Sequence, residues 1–254
     1  MVTVPANVRA VASGYGLGIG GAVLAAVLSL AGILVLALVG VASLPARLAV
    51  LFVLGQYVPF IGFPIAYLRW RGFDWGGIRD YFGVEVPSLR EVGIVVAGFF
   101  AVLVLTLGTA VVVTQVLGLE PANNSTGELA QDALDRAAAG ARVAGRHRPQ
   151  RGDAVPGTVQ NRLRESLPAG AAIVLTAALF AAVHVTALTG SLGARGTTIV
   201  ILFVPSLVFG VVYEYTRNLV VPALIHGIWN SFVFGSIYVS TQFGPGTAAA
   251  LLGL

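Results

Sequence analysis

Residues 17–44 read LGIGGAVLAAVLSLAGILVLALVGVASL, a run without a single charge. A helix needs roughly 20 apolar residues to cross a hydrocarbon core, and this run exceeds that. It is too long for the apolar core of a cleavable signal, so it reads as a first membrane helix that stays in place. In lipid the backbone has no water to bond, and an apolar run must satisfy its own N–H and C=O groups as a helix. Similar runs recur along the chain. The predicted spans are 16–43, 47–68, 90–118, 168–190, 196–214 and 218–241. A tail from Gly246 to Leu254 is apolar but too short to cross. The composition agrees: 57% of residues are apolar, 10% are charged and the mean hydropathy is +0.88. Soluble domains carry about a quarter charged residues. The expected fold is all-α, a polytopic transmembrane helical bundle of about six to eight helices forming a single membrane domain over residues 1–254.

The charges orient this bundle. All fifteen basic residues are arginine, and cysteine is absent, which excludes disulfides and thiolate metal sites. Arg69, Arg71, Arg79 and Arg90 fall in one loop, which the positive-inside rule assigns to the cytoplasm. The segment 1–15, with Arg9, then lies on the same side. The loop after Leu119 holds Glu120, Glu128, Asp132 and Asp135 with no arginine before Arg136, and belongs outside. That loop has two overlapping N-x-S/T patterns, at Asn123 and Asn124. A polar turn is the better reading of them, because the pattern alone is weak. The net charge of +4 does not indicate nucleic acid, since the arginines sit mainly between apolar spans. The expected surroundings are a lipid bilayer. Tyr67, Trp70, Tyr213 and Tyr215 lie near span ends and fit an interfacial aromatic belt. Gly18, Gly20 and Gly21 allow close helix packing.

The count of crossings then fails. The loop after Leu119 belongs outside, yet Arg162 and Arg164, before the next span, prefer the inside. One crossing is missing between about 136 and 160. Arg142, Arg146, Arg148 and Arg151 stand there, and each arginine at a bilayer centre costs about 2.5–3.5 kcal/mol on insertion scales. Residues 136–157 are therefore anomalous.

Two histidines carry the chemistry. His184 and His226 each sit inside a long apolar stretch, where a polar ring is costly and usually faces the protein interior. Asn230 follows His226 by four residues and shares its helix face. His147 lies in the arginine-rich stretch and is assigned no function.

Phe180-Ala-Ala-Val-His184 and His226-Gly-Ile-Trp-Asn230 resemble the second and third motifs of the CAAX-protease and bacteriocin-processing (CPBP, or Abi) family of intramembrane proteases. Gly210 to His226 is similar to the family's lead into its third motif. The likeness is best over 157–241, within a core of 120–241. The family's first motif, Glu-Glu-x-x-x-Arg, should stand just before Gly157 and is absent. Arg148 to Pro156 can be encoded as CGG CCC CAG CGA GGA GAC GCT GTT CC. Read one base later, this gives Gly-Pro-Ser-Glu-Glu-Thr-Leu-Phe, and a following arginine would complete the motif. Two compensating frame shifts, near Arg136 and Gly157, thus account for both the missing motif and the missing crossing. The competing reading is a divergent loop.

The resemblance implies an endopeptidase acting on a membrane-associated peptide or protein substrate, in a multi-pass protein of the plasma membrane. Prenylated CAAX proteins are the eukaryotic case and bacteriocin-like peptides a prokaryotic one. It implies His184, His226 and Asn230 as catalytic residues, with the first motif's glutamate activating water. A carboxylate in a low-dielectric site has a raised pKa and can act as a base near neutrality. Histidine and asparagine can position the water and stabilise an oxyanion. Alternatively His184, His226 and a carboxylate would hold Zn, as the label metalloprotease given to family members suggests. Of the acids nearest in sequence, Asp153 lies in the anomalous stretch, Glu165 reads as a helix-end cap or ion pair, and Glu214 as an interfacial partner of Arg217. The chain as it stands is therefore expected to be inactive or impaired. The rival readings are a non-catalytic membrane scaffold and a small transporter, the latter unsupported by any internal repeat.

Overall fold

The computed structural model describes residues 5–41, 43–124 and 155–243. Among the described residues, six helical runs are long and apolar enough to cross a membrane: Ala6–Leu38, Ala49–Trp70, Leu89–Val116, Ala169–Ala187, Leu192–Thr216 and Val220–Ile237. The protein is an all-α polytopic bundle, and its described strands are two residues each, Asn123–Asn124 (β1) and Leu188–Thr189 (β2).

The helix α1 (Ala6–Leu38) begins about ten residues before the hydropathy boundary at 16. The early start follows from packing. Ala10 is fully buried, and Gly14 lies on Leu163 and Val159. Arg9 consequently sits on a helix and not in a leading loop. The glycines of α1 do allow close approach: a methyl on Gly18 would come 2.3 Å from Leu179 Cδ2.

The second span joins α2 (Leu44–Phe52) and α3 (Phe63–Trp70) through a π-helical segment, Val53–Gly62, that contains Pro59. Proline has no N–H to donate, and a local change of helical pitch accommodates it. A short helix, α4 (Trp75–Phe82), follows, its first turn capped by Asp74, which accepts from Gly77 N–H at 2.7 Å. The third span is α5 (Leu89–Val111) with a π turn to Val116. Its start is a capping box of Ser88 and Glu91. Beyond residue 154 come α6 (Val155–Arg164), α7 (Ala169–Val183), a 3-10 turn (His184–Ala187), α8 (Leu192–Thr216) and α9 (Val220–Phe243).

The strand pair fixes one end of the bundle. Asn123 faces Thr189 and Asn124 faces Leu188, antiparallel. The opposite end holds α4 and α6: Arg162 donates to Ser13, Arg71 pairs with Glu165, and Leu219 N–H reaches the Phe82 and Gly83 carbonyls at 3.2 Å. The chain therefore changes ends between Asn124 and Val155. Among the described arginines, Arg9, Arg69, Arg71, Arg79, Arg90, Arg162, Arg164 and Arg217 gather at the α4–α6 end, while Arg47 and Arg195 lie at the other. By the positive-inside rule the crowded end is cytoplasmic. Most of the anomalous stretch, with its five arginines, His147 and Asp153, lies outside the described residues. So do Ser125 and Thr126 of the N-x-S/T patterns, and the tail after Phe243.

Polar contacts lock this inner end. Asn218, 4% exposed, accepts from the Val220 N–H at 3.1 Å and donates to the Glu85 carbonyl and Glu91 Oε1, both at 3.2 Å. It ties the α4–α5 link to the first turn of α9. Tyr213 corrects an expectation. It is 3% exposed and buried against Leu68, Ile78 and Phe82, with its hydroxyl near the Phe82 carbonyl and the Asn161 amide. It belongs to the core, because its ring is needed where α4, α6 and α8 meet. Trp70 and Tyr215 are 82% and 62% exposed, as the aromatic belt requires.

Gly83 ends α4 with φ +60°, and a methyl built on it would lie 1.7 Å from the Arg217 carbonyl oxygen. Gly83→Ala is expected to lower unfolding free energy in mixed micelles by about 2 kcal/mol or more, through left-handed strain and the clash. Gly93→Ala, at an open helical position of α5, should leave it unchanged or raise it by about 1 kcal/mol. Equal effects of the two substitutions would contradict this account of the α4–α9 junction.

Candidate active site

The site is built where α7, α8 and α9 meet around Phe180. Helix α7 is almost wholly apolar, and its face Ala172, Thr176, Phe180 is buried. The helix tightens to a 3-10 turn at His184, and the chain then leaves in the extended β2. A helix C-terminus leaves its last carbonyls without intrahelical partners. His184 answers one of them: its Nδ1 lies 2.6 Å from the Phe180 carbonyl oxygen. A carbonyl only accepts, so Nδ1 carries the proton. In the neutral ring Nε2 is then the acceptor nitrogen.

His226 lies two turns into α9, about 9 Å from its start by helical rise. The approach of α9 to α5 sets its direction. Gly98 of α5 leaves room for Ile225, whose Cδ1 would be 2.4 Å from a methyl there, and Phe99 meets Phe232 edge-on at 5.8 Å. With Ile225 turned to α5, the next residue faces α7 and α8. The His226 ring sits 5.5 Å from Phe180 and 5.5 Å from Phe209, centroid to centroid. The same Phe180 ring is 4.8 Å from His184 and 5.7 Å from Phe209. Phe180, read from sequence as a packing residue that shapes the site, is thus the aromatic contact common to both histidines. Both rings are part-buried.

Asn230 is one helical turn beyond His226, and its Nδ2 lies 3.2 Å from His226 Nε2. With the amide so oriented, Nε2 accepts and the ring proton is on Nδ1. The structure therefore brings His226 and Asn230 into direct contact and links His184 to them through the Phe180 ring.

A tetrahedral zinc site takes three or four protein ligands. Among the described residues no cluster of three His, Cys, Asp or Glu side chains could hold a metal, and His226 Nε2 already faces an amide N–H. The described residues alone therefore do not make up a complete zinc centre.

Glu214 and Glu165 lie elsewhere, in ion pairs. Glu214 accepts from Arg164 Nε at 3.1 Å, Arg217 Nη2 at 2.6 Å and Gln160 Nε2 at 3.2 Å. The pair with Arg217 was legible from their spacing of three; the contacts with α6 were not. Glu165 forms ion pairs with Arg71, at 2.8 Å, and with Arg162, as a helix-end acid should. Tyr81 also faces it, and burial pushes that phenol well above its ordinary range. Gln160 went unnoticed in the sequence, although a glutamine two residues before a basic helix end gives little signal. It is 1% exposed and donates to the Gly210 carbonyl at 3.0 Å. Its Oε1 and the Thr176 hydroxyl, on adjoining helices, are buried without hydrogen-bond partners.

Residues 155–232 match a family model described as Type II CAAX prenyl endopeptidase Rce1-like. No curated protein and no solved structure matches the chain. The matched span opens directly after the arginine-rich stretch and contains Phe180, His184, His226 and Asn230. Through this segment, about a third of the chain, the protein is similar to the CAAX prenyl protease (CPBP) family.

Proposed function

We propose that the protein is an intramembrane endopeptidase of the CAAX prenyl protease type, lacking in its present sequence the carboxylate that would activate water. Its substrate would be a membrane-associated peptide or protein, cleaved near the bilayer of the plasma membrane. The observation that carries the reading is the pair of intramembrane histidines sharing Phe180 within a CAAX-protease segment.

His184, bonded through Nδ1 to the Phe180 carbonyl, and His226, bonded through Nε2 to Asn230, are the polar rings that would position water and stabilise a developing oxyanion. Hydrolysis still needs a base to take the water's proton while oxygen adds to the carbonyl carbon. That proton must then reach the leaving nitrogen as the C–N bond breaks. Glu165 and Glu214 are held in ion pairs at the inner end and do not supply it. In the alternate frame a Glu-Glu pair falls just ahead of α6, which would place a carboxylate one to two turns before Gly157.

A non-catalytic scaffold is the second reading, favoured by these occupied carboxylates. It retains a bound partner when His184 or His226 is changed, whereas a protease loses turnover.

The test is cleavage of a prenylated peptide by the full chain in proteoliposomes. The chain as it stands is expected to show no cleavage above background. A chain whose residues 136–156 are replaced by the alternate-frame translation should cleave, and His226→Ala in that background should cut turnover by roughly 10²–10³-fold. Cleavage by the present chain that survives both His184→Ala and His226→Ala would refute the assignment.

Asn230→Ala in the repaired chain should lower turnover with little change in KM, since the amide acts through His226, which it touches. A pure KM effect would make Asn230 a binding residue instead.

A further inference from the structure

At the inner end, away from the histidines, α1, α3 and α6 enclose an open cleft of about 650 Å³. Its walls include Arg9 and Ser13 of α1, Tyr67 and Trp70 of α3, Arg71 just after α3, and Arg162 of α6. Three guanidinium groups from three parts of the chain thus face one space.

Their charges are only partly balanced. Glu165 takes Arg71 and Arg162 together. Arg162 is further fixed by donating through Nε to Ser13 Oγ at 2.7 Å, and Arg71 rests over the Tyr67 and Phe73 rings at 5.8 and 5.6 Å. Arg9 has no ion pair among the described residues and is exposed. One carboxylate against three arginines leaves an excess of two positive charges.

The place of the cleft narrows the ligand. It lies at the cytoplasmic ends of the first two spans, beside Trp70, which is 82% exposed as an interfacial aromatic would be. Farther along α1, Ile19 and Val23 are exposed, an apolar wall along which acyl chains can lie. Arginine forks suit phosphate oxygens. We propose that this cleft binds the phosphate of an anionic phospholipid of the inner leaflet, with Arg9 as the unneutralised contact and Arg71 and Arg162 held ready by Glu165 and Ser13.

Native mass spectrometry of the detergent-purified full chain tests this, with phosphatidylglycerol and phosphatidylcholine as probes. The wild type should retain phosphatidylglycerol preferentially. Arg9→Gln should reduce that preference about fivefold, the worth of one arginine near a charged lipid surface. Arg79→Gln, which removes the same charge from the same end outside the cleft, should leave it intact. Equal retention of the two lipids, an unchanged preference in Arg9→Gln, or an equal loss in Arg79→Gln would overturn the site. Millimolar inorganic phosphate separates the sources. If it alone protects the lipid-free protein as well as phosphatidylglycerol does, and erases the lipid preference, the ligand is the free anion and the lipid assignment fails.

Discussion

The Glu214 clamp is the contact on which the geometry of this bundle depends. Apolar helices surrounded by lipid gain little by burying apolar surface against each other, so their register must come from packing detail and polar contacts. Glu214 stands at the end of α8 and gathers Arg164 and Gln160 of α6 and Arg217 of the following turn. A charge so placed is costly unless fully paired, and any sliding of α6 along α8 would break the pairing. Four residues before Glu214, Gly210 lets α6 and α7 close on α8: a methyl there would sit 2.9 Å from Ile173 and 3.2 Å from Gln160. Asn218 extends the lock to α9, and α9 carries His226. The inner polar network and the deeper histidines are therefore parts of one arrangement.

The contacts around the two histidines are short-range within that arrangement. His184 serves the end of α7 by bonding the Phe180 carbonyl, and His226 is held by Asn230 and two phenylalanines. Both contacts are local to a helix or its immediate neighbours. Neither of these contacts involves a carboxylate.

Hydropathy made the six spans legible, because no soluble alternative exists for runs as apolar as 17–44. Arginine placement grouped Arg9 with Arg69, Arg71, Arg79 and Arg90 on one side, and the structure gathers them at one end of the bundle, since charge cannot be hidden in lipid. The start of α1 was not, because residues 6–15 owe their helix to packing of Ala10 and Gly14 against α6 and its neighbours. Tyr213 was misread for a related reason: position near a span end does not distinguish a ring in the headgroup layer from one buried among α4, α6 and α8. The histidines stood out as polar rings in apolar text, and Asn230 followed from helical spacing. Their meeting on Phe180 joins residues 46 positions apart, Phe180 and His226, and periodicity carries no such information. Gln160 and Asn218 gave no local signal, because each works through partners in other helices.

The described ends place Asn124 and Val155 on opposite sides of the membrane. The protein has no cysteine, so single exposed reporters can be placed on a clean background. Val86→Cys, Glu120→Cys and Ser166→Cys, labelled with an impermeant maleimide on intact and then permeabilised cells, read the topology directly. The account predicts that 86 and 166 label only after permeabilisation and that 120 labels from outside. Labelling of 120 and 166 from the same face would contradict it.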